Sequence, residues 1–283
     1  MIITYVVTNW HVAVSEGNSC VRVNKKGGGS DVFELEPHEW TFRPVWHDIA
    51  IASLSLDRAV HDAVSISQNF LATDAFVSDR AIGPGDDVFM VGRFIDHDGG
   101  ETNVPAARFG NLSMMPYGAI EQPSKAKLGS YVIDMHSRSG FSGSPVFAYR
   151  TFGNDFRKKS DSTPDVKPFI TLLGIHWGQF YEFWELAHKP SSSTVKSGLG
   201  ADSDIRNKRV VGLSGMGCVI PASAILELLD CEKFRAERDQ AEANLILITH
   251  KPQPTLGPSR VWARFARRPS TGAGSWRPSR NDD

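Results

Sequence analysis

The sequence predicts an all-β protein of the sandwich or barrel kind, followed by one helix and a polar tail. Short segments rich in Val, Ile and Phe recur along most of the 283 residues, and clusters of Gly, Asp, Asn and Pro separate them. Helical periodicity is nearly absent before residue 220. Short apolar runs between turn residues are typical of antiparallel sheets that pack face to face or close into barrels.

Seven segments carry the strand pattern, since each is a short apolar run bounded by turn residues. In chain order they are Ile2–Val7, Val32–Leu35, Ile49–Leu54, Val88–Val91, Tyr131–Ile133, Pro145–Phe147 and Phe169–Ile175. Turns are predicted between them where small and polar residues cluster, at Gly27–Ser30, Gly83–Asp87 and Asp96–Gly100.

One helix is predicted at residues 221–245. Pro221 can occupy a first-turn position, and an apolar stripe runs into a charged stretch. The stripe consists of Ile225, Leu228 and Leu229, with Phe234 as a candidate fourth member. From residue 246 to 283, Pro, Gly, Ser and Arg dominate, which predicts a basic, disordered tail. Such a tail could contact nucleic acid or an acidic partner, or it has no partner, and nothing else in the sequence favours either.

Composition excludes several classes of protein. With 41% hydrophobic and 22% charged residues the chain is neither disordered nor collagen-like, and a net charge of -1 argues against a nucleic-acid or membrane-surface role for the whole protein. Its three cysteines lack CxxC spacing, so neither a disulfide framework nor a zinc site is predicted, and no cofactor is expected. No apolar run has the length of a membrane span and no signal peptide opens the chain, so as written it is expected to be cytoplasmic.

Two segments place a histidine and an acid next to apolar strands. His11 lies in Thr8–Val12, at the end of the first β-rich run, and Asp48 lies in His47–Ile51, at the start of a strand. Taken alone, the first is more simply a packed histidine and the second a carboxylate that ends a turn. Their meaning depends on a third segment.

The third segment, Gly140–Phe147, is the most specific. It holds Ser142 between glycines, in a tight loop that leads into an apolar strand. Small residues let the backbone turn sharply, so the amides of Gly140 and Ser142 can point at one spot while the serine stays exposed. A plain Ser/Gly turn is the alternative, although few turns need glycine on both sides of the serine and a proline just before the strand.

Together the three segments give the chain order His, Asp, Ser, and the sequence resembles the trypsin-like serine peptidases of the chymotrypsin fold, most closely their bacterial, disulfide-free branch. The resemblance covers about residues 3 to 230. Four further segments carry it: Ile82–Gly92 looks like the strand that closes the first barrel, Arg108–Ser113 like the opening of the second, Ile175–Gly178 like the strand that binds substrate backbone, and Gly215–Pro221 like the last barrel strand.

This resemblance implies two six-stranded antiparallel barrels, one at residues 1–100 and one at residues 101–220. It implies a catalytic triad of His11, Asp48 and Ser142, an oxyanion hole formed by the N–H groups of Gly140 and Ser142, and no metal. The implied function is that of a serine endopeptidase acting on polypeptides. Nothing in the sequence indicates an oligomeric state or a cleavage-site preference.

Several positions depart from the family pattern or concern the substrate site. His176 stands where the family commonly has a serine that touches the triad acid, so it could donate to Asp48 or simply pack on the strand. Phe141 replaces the usual Asp or Asn before the nucleophile. The substrate-binding residues that the resemblance implies are His136 at the base of the specificity pocket, His176 and Trp177 on the substrate strand, and Gly178 and Gly217, which leave the pocket walls open.

The amino end is short for this fold. Only ten residues precede His11, enough for one strand, whereas two strands normally precede the strand that delivers the catalytic histidine. We therefore expect the first barrel to be incomplete, with the missing strands encoded upstream of Met1. A catalytically silent binding or scaffold protein of the same fold, with a truncated first barrel, is the alternative function.

Overall fold

The computed structural model of the chain describes residues 3–93, 97, 99–135, 140–151, 168–185 and 209–249. Within these residues the fold is mostly β, with twelve strands and three α-helices. The strands are β1 Thr4–Thr8, β2 Cys20–Asn24, β3 Ser30–Glu34, β4 Ala50–Leu54, β5 Asp87–Arg93, β6 Pro105–Met114, β7 Ala119–Glu121, β8 Lys127–Gly129, β9 Tyr131–Asp134, β10 Pro145–Arg150, β11 Phe169–Glu185 and β12 Arg209–Pro221. The helices are α1 Asp74–Asp79, α2 Ala222–Leu229 and α3 Glu232–Thr249. Every segment with the strand pattern overlaps a strand, which confirms the predicted β class.

Six strands close into an antiparallel barrel in the order β10-β11-β12-β9-β6-β5, with β5 paired back to β10. Alternate residues point inward: on β10, Val146 and Ala148 are fully buried, while Phe147 between them is partly exposed. All six strands contribute apolar side chains to this interior, Met90 of β5 and Leu112 of β6 among them. The barrel is thus a packed core whose rim can hold loops rigidly.

The chain before β5 forms two separate two-stranded sheets. β1 pairs with β4, and β2 pairs with β3. Their small core holds the buried residues Ala13, Leu35, Trp40, Ala50 and Ala52. Within the described residues, the structure therefore contains one of the two predicted barrels.

The segment at residues 82–92 was expected to close the first barrel, and this prediction is wrong. Its strand, β5, pairs with β6 and with β10 inside the closed barrel. The reason is burial, because Val88 and Met90 of β5 are fully buried among the barrel's inward-facing residues. Without β5 the edges of β6 and β10 would be unpaired. The barrel consequently takes a strand from the N-terminal side of the boundary predicted at residue 100.

The predicted helix at residues 221–245 is two helices, α2 and α3, separated at Asp230 and Cys231. In one continuous helix Phe234 would lie about 140° around the axis from Leu229, off the apolar stripe. The break lets both side chains be buried, and Phe234 is fully buried with its ring centroid 4.9 Å from that of Tyr5 on β1. The apolar face of α2 and α3 joins the β1–β4 sheet to the barrel strands β11 and β12.

Two further features concern the ends of elements. β11 and β12 continue beyond the barrel as a paired ribbon, residues 181–185 against 209–213, whose aromatic side chains include the exposed Phe183 and Trp184. The predicted disordered tail begins too early, because residues 246–249 continue α3, where the apolar run at 246–248 follows the charged stretch of the helix. The rest of the tail lies outside the described residues and stays a prediction. None of the described helices is long and apolar enough to cross a membrane.

Candidate active site

His11 and Asp48 meet because β1 and β4 are antiparallel neighbours. His11 follows the end of β1, and Asp48 comes just before β4, whose first residue, Ala50, pairs with Thr8. The ring Nδ1 of His11 lies 2.5 Å from Oδ2 of Asp48. The backbone N–H of His11 also donates to Oδ1 of Asp48 at 2.8 Å. Both carboxylate oxygens are thus engaged with a single residue.

The carboxylate is sealed from water and its backbone is held on both sides. Asp48 is fully buried, whereas the side chain of His11 is 15% exposed. Asn9 donates its Nδ2 to the carbonyl of Asp48 at 2.9 Å, and the N–H of Asp48 donates to Oε1 of Gln122 at 2.9 Å. With Nδ1 committed to Asp48, the imidazole Nε2 is the nitrogen available for proton transfer.

Ser142 sits in a loop shaped by two glycines with left-handed backbone. Gly140 has φ 91° and Gly143 has φ 81°, a region that residues with a Cβ rarely adopt. The N–H of Ser144 donates to the carbonyl of Phe141 at 3.1 Å, which closes the turn. Within the described residues, the N–H groups of Gly140 and Ser142 donate no hydrogen bond, and their role as an oxyanion hole stays a prediction.

Phe141 anchors this loop in the barrel. Its side chain is fully buried in the barrel core, and the guanidinium of Arg108 lies 4.8 Å from its ring centroid. Gly92 of β5 permits this packing, because a Cβ there would lie 2.7 Å from Cδ1 of Phe141. Burial of an aromatic ring thus fixes the residue before Ser142, where the resemblance leads one to look for Asp or Asn.

The loop also touches the strand that leads to His11. A Cβ on Gly143 would lie 2.4 Å from Oγ1 of Thr8, the last residue of β1. This contact puts the Ser142 loop beside the strand end that is followed by His11. Within the described part of the chain Ser142 and His11 are not hydrogen-bonded to each other. In unliganded enzymes such bonds are often long and tighten only when substrate binds.

His176 is buried and does not reach the acid. It is 2% exposed, and a Cβ on Gly217 would lie 3.2 Å from its Nε2. Neither ring nitrogen has a hydrogen-bond partner among the described residues, so of the two alternatives the donation to Asp48 is not made. Burial lowers the pKa of His176 to about 4, against the opposing effect of the nearby Phe141 carbonyl. The structure thus has the ring of His176 buried against its neighbours, and the lowered pKa favours the neutral form there.

The backbone of His176, unlike its side chain, is bound to the Ser142 loop. Its N–H donates to the carbonyl of Ser144 at 2.9 Å, and its carbonyl accepts the N–H of Gly143 at 2.8 Å. The half-buried Trp177 donates its indole N–H to Oγ of Ser130 at 3.1 Å. A Cβ on Gly178 would meet open space, while Gly217 faces His176. The predicted pocket residue His136 lies outside the described residues, and substrate binding by this group stays a prediction.

Two residues that contact the acid, Asn9 and Gln122, were missed from the sequence. Asn9 lies two residues before His11, and a polar residue at the buried end of a strand is a usable signal. Gln122 lies 74 residues after Asp48 in a stretch without any motif. Only the docking of the β7–β8 hairpin against residues 46–48 reveals it.

Solved structures similar to this chain include two of the HtrA-type protease AlgW with a decapeptide, one of them a serine-to-alanine variant, and one of Deg5. The TM-scores are 0.42, 0.39 and 0.31, at sequence identities of 18%, 15% and 17%. The matches cover 80%, 79% and 50% of this chain and 47%, 46% and 63% of the neighbours, so this chain spans about half the length of the AlgW chains. No protein-family profile and no curated protein matches the sequence.

Proposed function

We propose that this chain is a serine endopeptidase that hydrolyses peptide bonds through an acyl-enzyme on Ser142. The observation that carries the proposal is the buried carboxylate of Asp48 with both oxygens on His11, at 2.5 Å and 2.8 Å. A carboxylate that holds an imidazole in one tautomer beside a serine loop is the arrangement that activates a hydroxyl nucleophile. The N–H groups of Gly140 and Ser142, which donate no hydrogen bond within the described residues, would supply the matching oxyanion site.

The chemistry proceeds in two halves. Ser142 Oγ attacks the substrate carbonyl carbon while His11 Nε2 takes the hydroxyl proton, and the same nitrogen then protonates the leaving amine. Water then attacks the acyl carbon of the resulting ester while His11 Nε2 takes its proton. The same nitrogen returns that proton to Ser142 Oγ as the ester bond breaks and the acid is released. Asp48 keeps the proton on Nδ1 throughout and stabilises the transient imidazolium. The oxyanion in both halves is bound by two backbone donors, each typically worth about 3 kcal/mol.

A catalytically silent binding or scaffold protein is the second candidate. The observation in its favour is that Ser142 and His11 are not hydrogen-bonded to each other in the described part of the chain. The two candidates differ in the reactivity of one hydroxyl. Only an activated serine beside a formed oxyanion hole reacts rapidly with a phosphonylating agent.

The test is labelling of the folded, full-length chain with a fluorophosphonate probe, followed by mass spectrometry of the labelled peptide and by an assay on an unstructured protein such as casein. We expect the label on Ser142, and we expect Ser142→Ala to abolish it and to lower turnover on the order of 10⁴-fold or more. Ser144→Ala, a change in the same loop, serves as the matched control and should keep the label. No labelling, or a label on Ser144, contradicts the proposal.

A further inference from the structure

Gln122 is a buried carboxamide that reaches the acid from outside the three triad segments. It directly follows β7 and is 2% exposed. Its Oε1 accepts the N–H of Asp48 at 2.9 Å, and Asn9 Nδ2 donates to the Asp48 carbonyl at the same distance. The peptide groups on both sides of Asp48 are therefore held by side-chain amides.

The surroundings permit only one orientation of this amide. Its Nε2 lies 3.2 Å from Nδ1 of His47 and 3.4 Å from Oγ of Ser130. Burial lowers the pKa of His47, so its imidazole is neutral and can accept through Nδ1. A flipped amide would turn its NH₂ group toward the N–H of Asp48 and its oxygen toward His47, leaving two buried donors facing each other. The acceptor that faces Asp48 is thus fixed by its neighbours.

The backbone beneath Gln122 is also fixed. Its N–H donates to the carbonyl of Ala126 at 2.9 Å, and its carbonyl accepts the N–H of Lys125 at 2.9 Å. The hydroxyl of Ser124 in the same turn donates to the carbonyl of Trp46 at 2.5 Å. The turn between β7 and β8 is therefore closed on itself and docked onto the residues that precede the acid.

We infer that Gln122 is a positioning residue, which fixes the backbone at Asp48 and thereby the angle at which the carboxylate meets His11. The inference rests on the proposed function, because it assigns a task within that triad. Asp48 binds His11 through both oxygens, so a small rotation of the Asp48 backbone changes both hydrogen bonds together. Within the described residues the Gln122 side chain forms no hydrogen bond with His11 or Ser142, so its role is exerted through the acid.

The first readout is kinetic. Gln122→Met keeps the volume and removes the acceptor, and we expect it to lower kcat on the order of tenfold to a hundredfold while KM stays within about twofold. Gln122→Glu keeps an oxygen in the same place and should retain more of the rate. Thr171→Val is the matched control, since it deletes another buried hydrogen bond, that of Oγ1 to the Phe70 carbonyl at 2.9 Å, away from the triad. It should leave kcat unchanged.

The second readout does not need turnover. The proton between His11 Nδ1 and Asp48 gives a low-field NMR signal, which can be recorded in the Ser142→Ala background. We expect Gln122→Met to shift or broaden this signal, Gln122→Glu to restore it, and Thr171→Val to leave it in place. A shift in Gln122→Met alone separates misalignment of the acid from a general loss of stability.

The inference is overturned if Gln122→Met keeps the parent kcat and the parent proton signal, even where its melting temperature falls. It is likewise overturned if Thr171→Val affects kcat and the proton signal as strongly as Gln122→Met does. Failure of the proposed function is seen separately, as a parent chain that the fluorophosphonate does not label. In that case the proton signal alone decides whether Gln122 aligns Asp48.

Discussion

At the scale of single residues, the central feature is that Asp48 binds both the ring and the backbone of His11. The backbone N–H of His11 requires an oxygen at the Oδ1 position, at 2.8 Å. Oδ2 is then the only atom left for the ring, at 2.5 Å. The arrangement places the ring proton of His11 on Nδ1, and it places the negative charge of Asp48 beside that nitrogen.

We expect Asp48→Asn to lower kcat/KM on the order of 10⁴-fold at neutral pH. Because the backbone N–H of His11 must face the amide oxygen, the amide NH₂ must face Nδ1, which forces the proton onto Nε2 and blocks it as a base. Steady-state kinetics measures the loss. Asp31→Asn, which removes an exposed acid paired with Lys25 at 3.0 Å, is the control and should be near the parent rate. Equal losses in the two variants would contradict this account.

A second expectation concerns stability against pH and His176. Its folded-state pKa of about 4 lies below the ordinary 6.5, so the folded protein binds fewer protons than the unfolded chain between these values. The contribution is fully present above about pH 6.5 and is lost as pH falls toward 4, amounting to roughly 3 kcal/mol. His47, whose pKa is also lowered by burial, acts in the same direction.

Denaturant unfolding between pH 4 and 7 measures this slope. His176→Leu removes the buried ring nitrogens, for which the described part of the chain offers no hydrogen-bond partner, and should flatten the dependence of stability on pH. His38→Gln, at an exposed position, should leave the slope as in the parent chain. If His176→Leu keeps the full slope, the buried neutral histidine is not its source.

The contact between His11 and Asp48 and the glycine-shaped loop at Ser142 could be predicted because each residue lies in a short segment with its own local pattern. The catalytic role of the three stays a prediction. Gln122 could not, since its place beside Asp48 depends on how the β7–β8 turn docks 74 residues away in sequence. His176 is the opposite case. Its position in the sequence left contact with the acid open as an alternative, but its buried ring forms no hydrogen bond with Asp48 among the described residues.

At the scale of elements, the Ser142 loop depends on backbone that only glycine adopts easily and on close approach to β1. Gly140 and Gly143 both have positive φ, and the second also leaves space for Thr8. Phe141 between them is buried in the barrel. The loop is thus fixed from below by the barrel and from the side by β1.

Gly143→Ala should lower the free energy of unfolding by about 3 kcal/mol, from positive φ together with the clash on Thr8 Oγ1. Thr8→Ala in the same chain should recover part of that loss, and a double-mutant cycle in denaturant measures the coupling. Gly85→Ala is the control, since Gly85 has φ 94° with nothing near its Cβ direction, and should cost only about 1 kcal/mol. If the losses of unfolding free energy from Thr8→Ala and Gly143→Ala simply add, the new methyl group at position 143 is not strained against Thr8.

Element types were predictable because apolar alternation and turn residues are local signals. Which sheet a strand joins is not local, and β5 was assigned to the first barrel although its buried Val88 and Met90 close the other. The break between α2 and α3 was likewise hidden, since no Gly or Pro marks it. Burial of Phe234 against Tyr5 decides where the helix turns.

At the scale of the whole molecule, α2 and α3 connect the β1–β4 sheet to the barrel. The shared apolar cluster includes Ile51 of β4, Ile220 of β12 and Phe234 of α3. Polar contacts reinforce it: Lys233 Nζ donates to the Glu39 carbonyl at 3.1 Å, and Arg43 forms an ion pair with Glu227. The sheet that bears His11 and Asp48 is therefore held in place by the chain that follows the barrel.

Phe234→Ala should lower the free energy of unfolding by about 3 to 5 kcal/mol, because it empties a fully buried site. Since the residue lies between the β1–β4 sheet and the barrel, we also expect unfolding to become less cooperative, seen as non-coincident fluorescence and circular-dichroism transitions. Phe183→Ala, at a position 62% exposed, is the control and should change stability by less than about 0.5 kcal/mol. A single cooperative transition in Phe234→Ala would contradict the linking role.

The hydrogen bonds that hold Asp48 also bear on the order in which the protein folds. His11 lies 37 residues before the acid, and Gln122 lies 74 residues after it, so the centre exists only once distant parts of the chain have met. Contacts between such distant residues form late and slowly, since the entropy of closing long loops must first be overcome. We therefore expect a refolding chain to gain the proposed reactivity of Ser142 only after both of these contacts have formed. The time at which fluorophosphonate labelling appears during refolding would thus report when these contacts form.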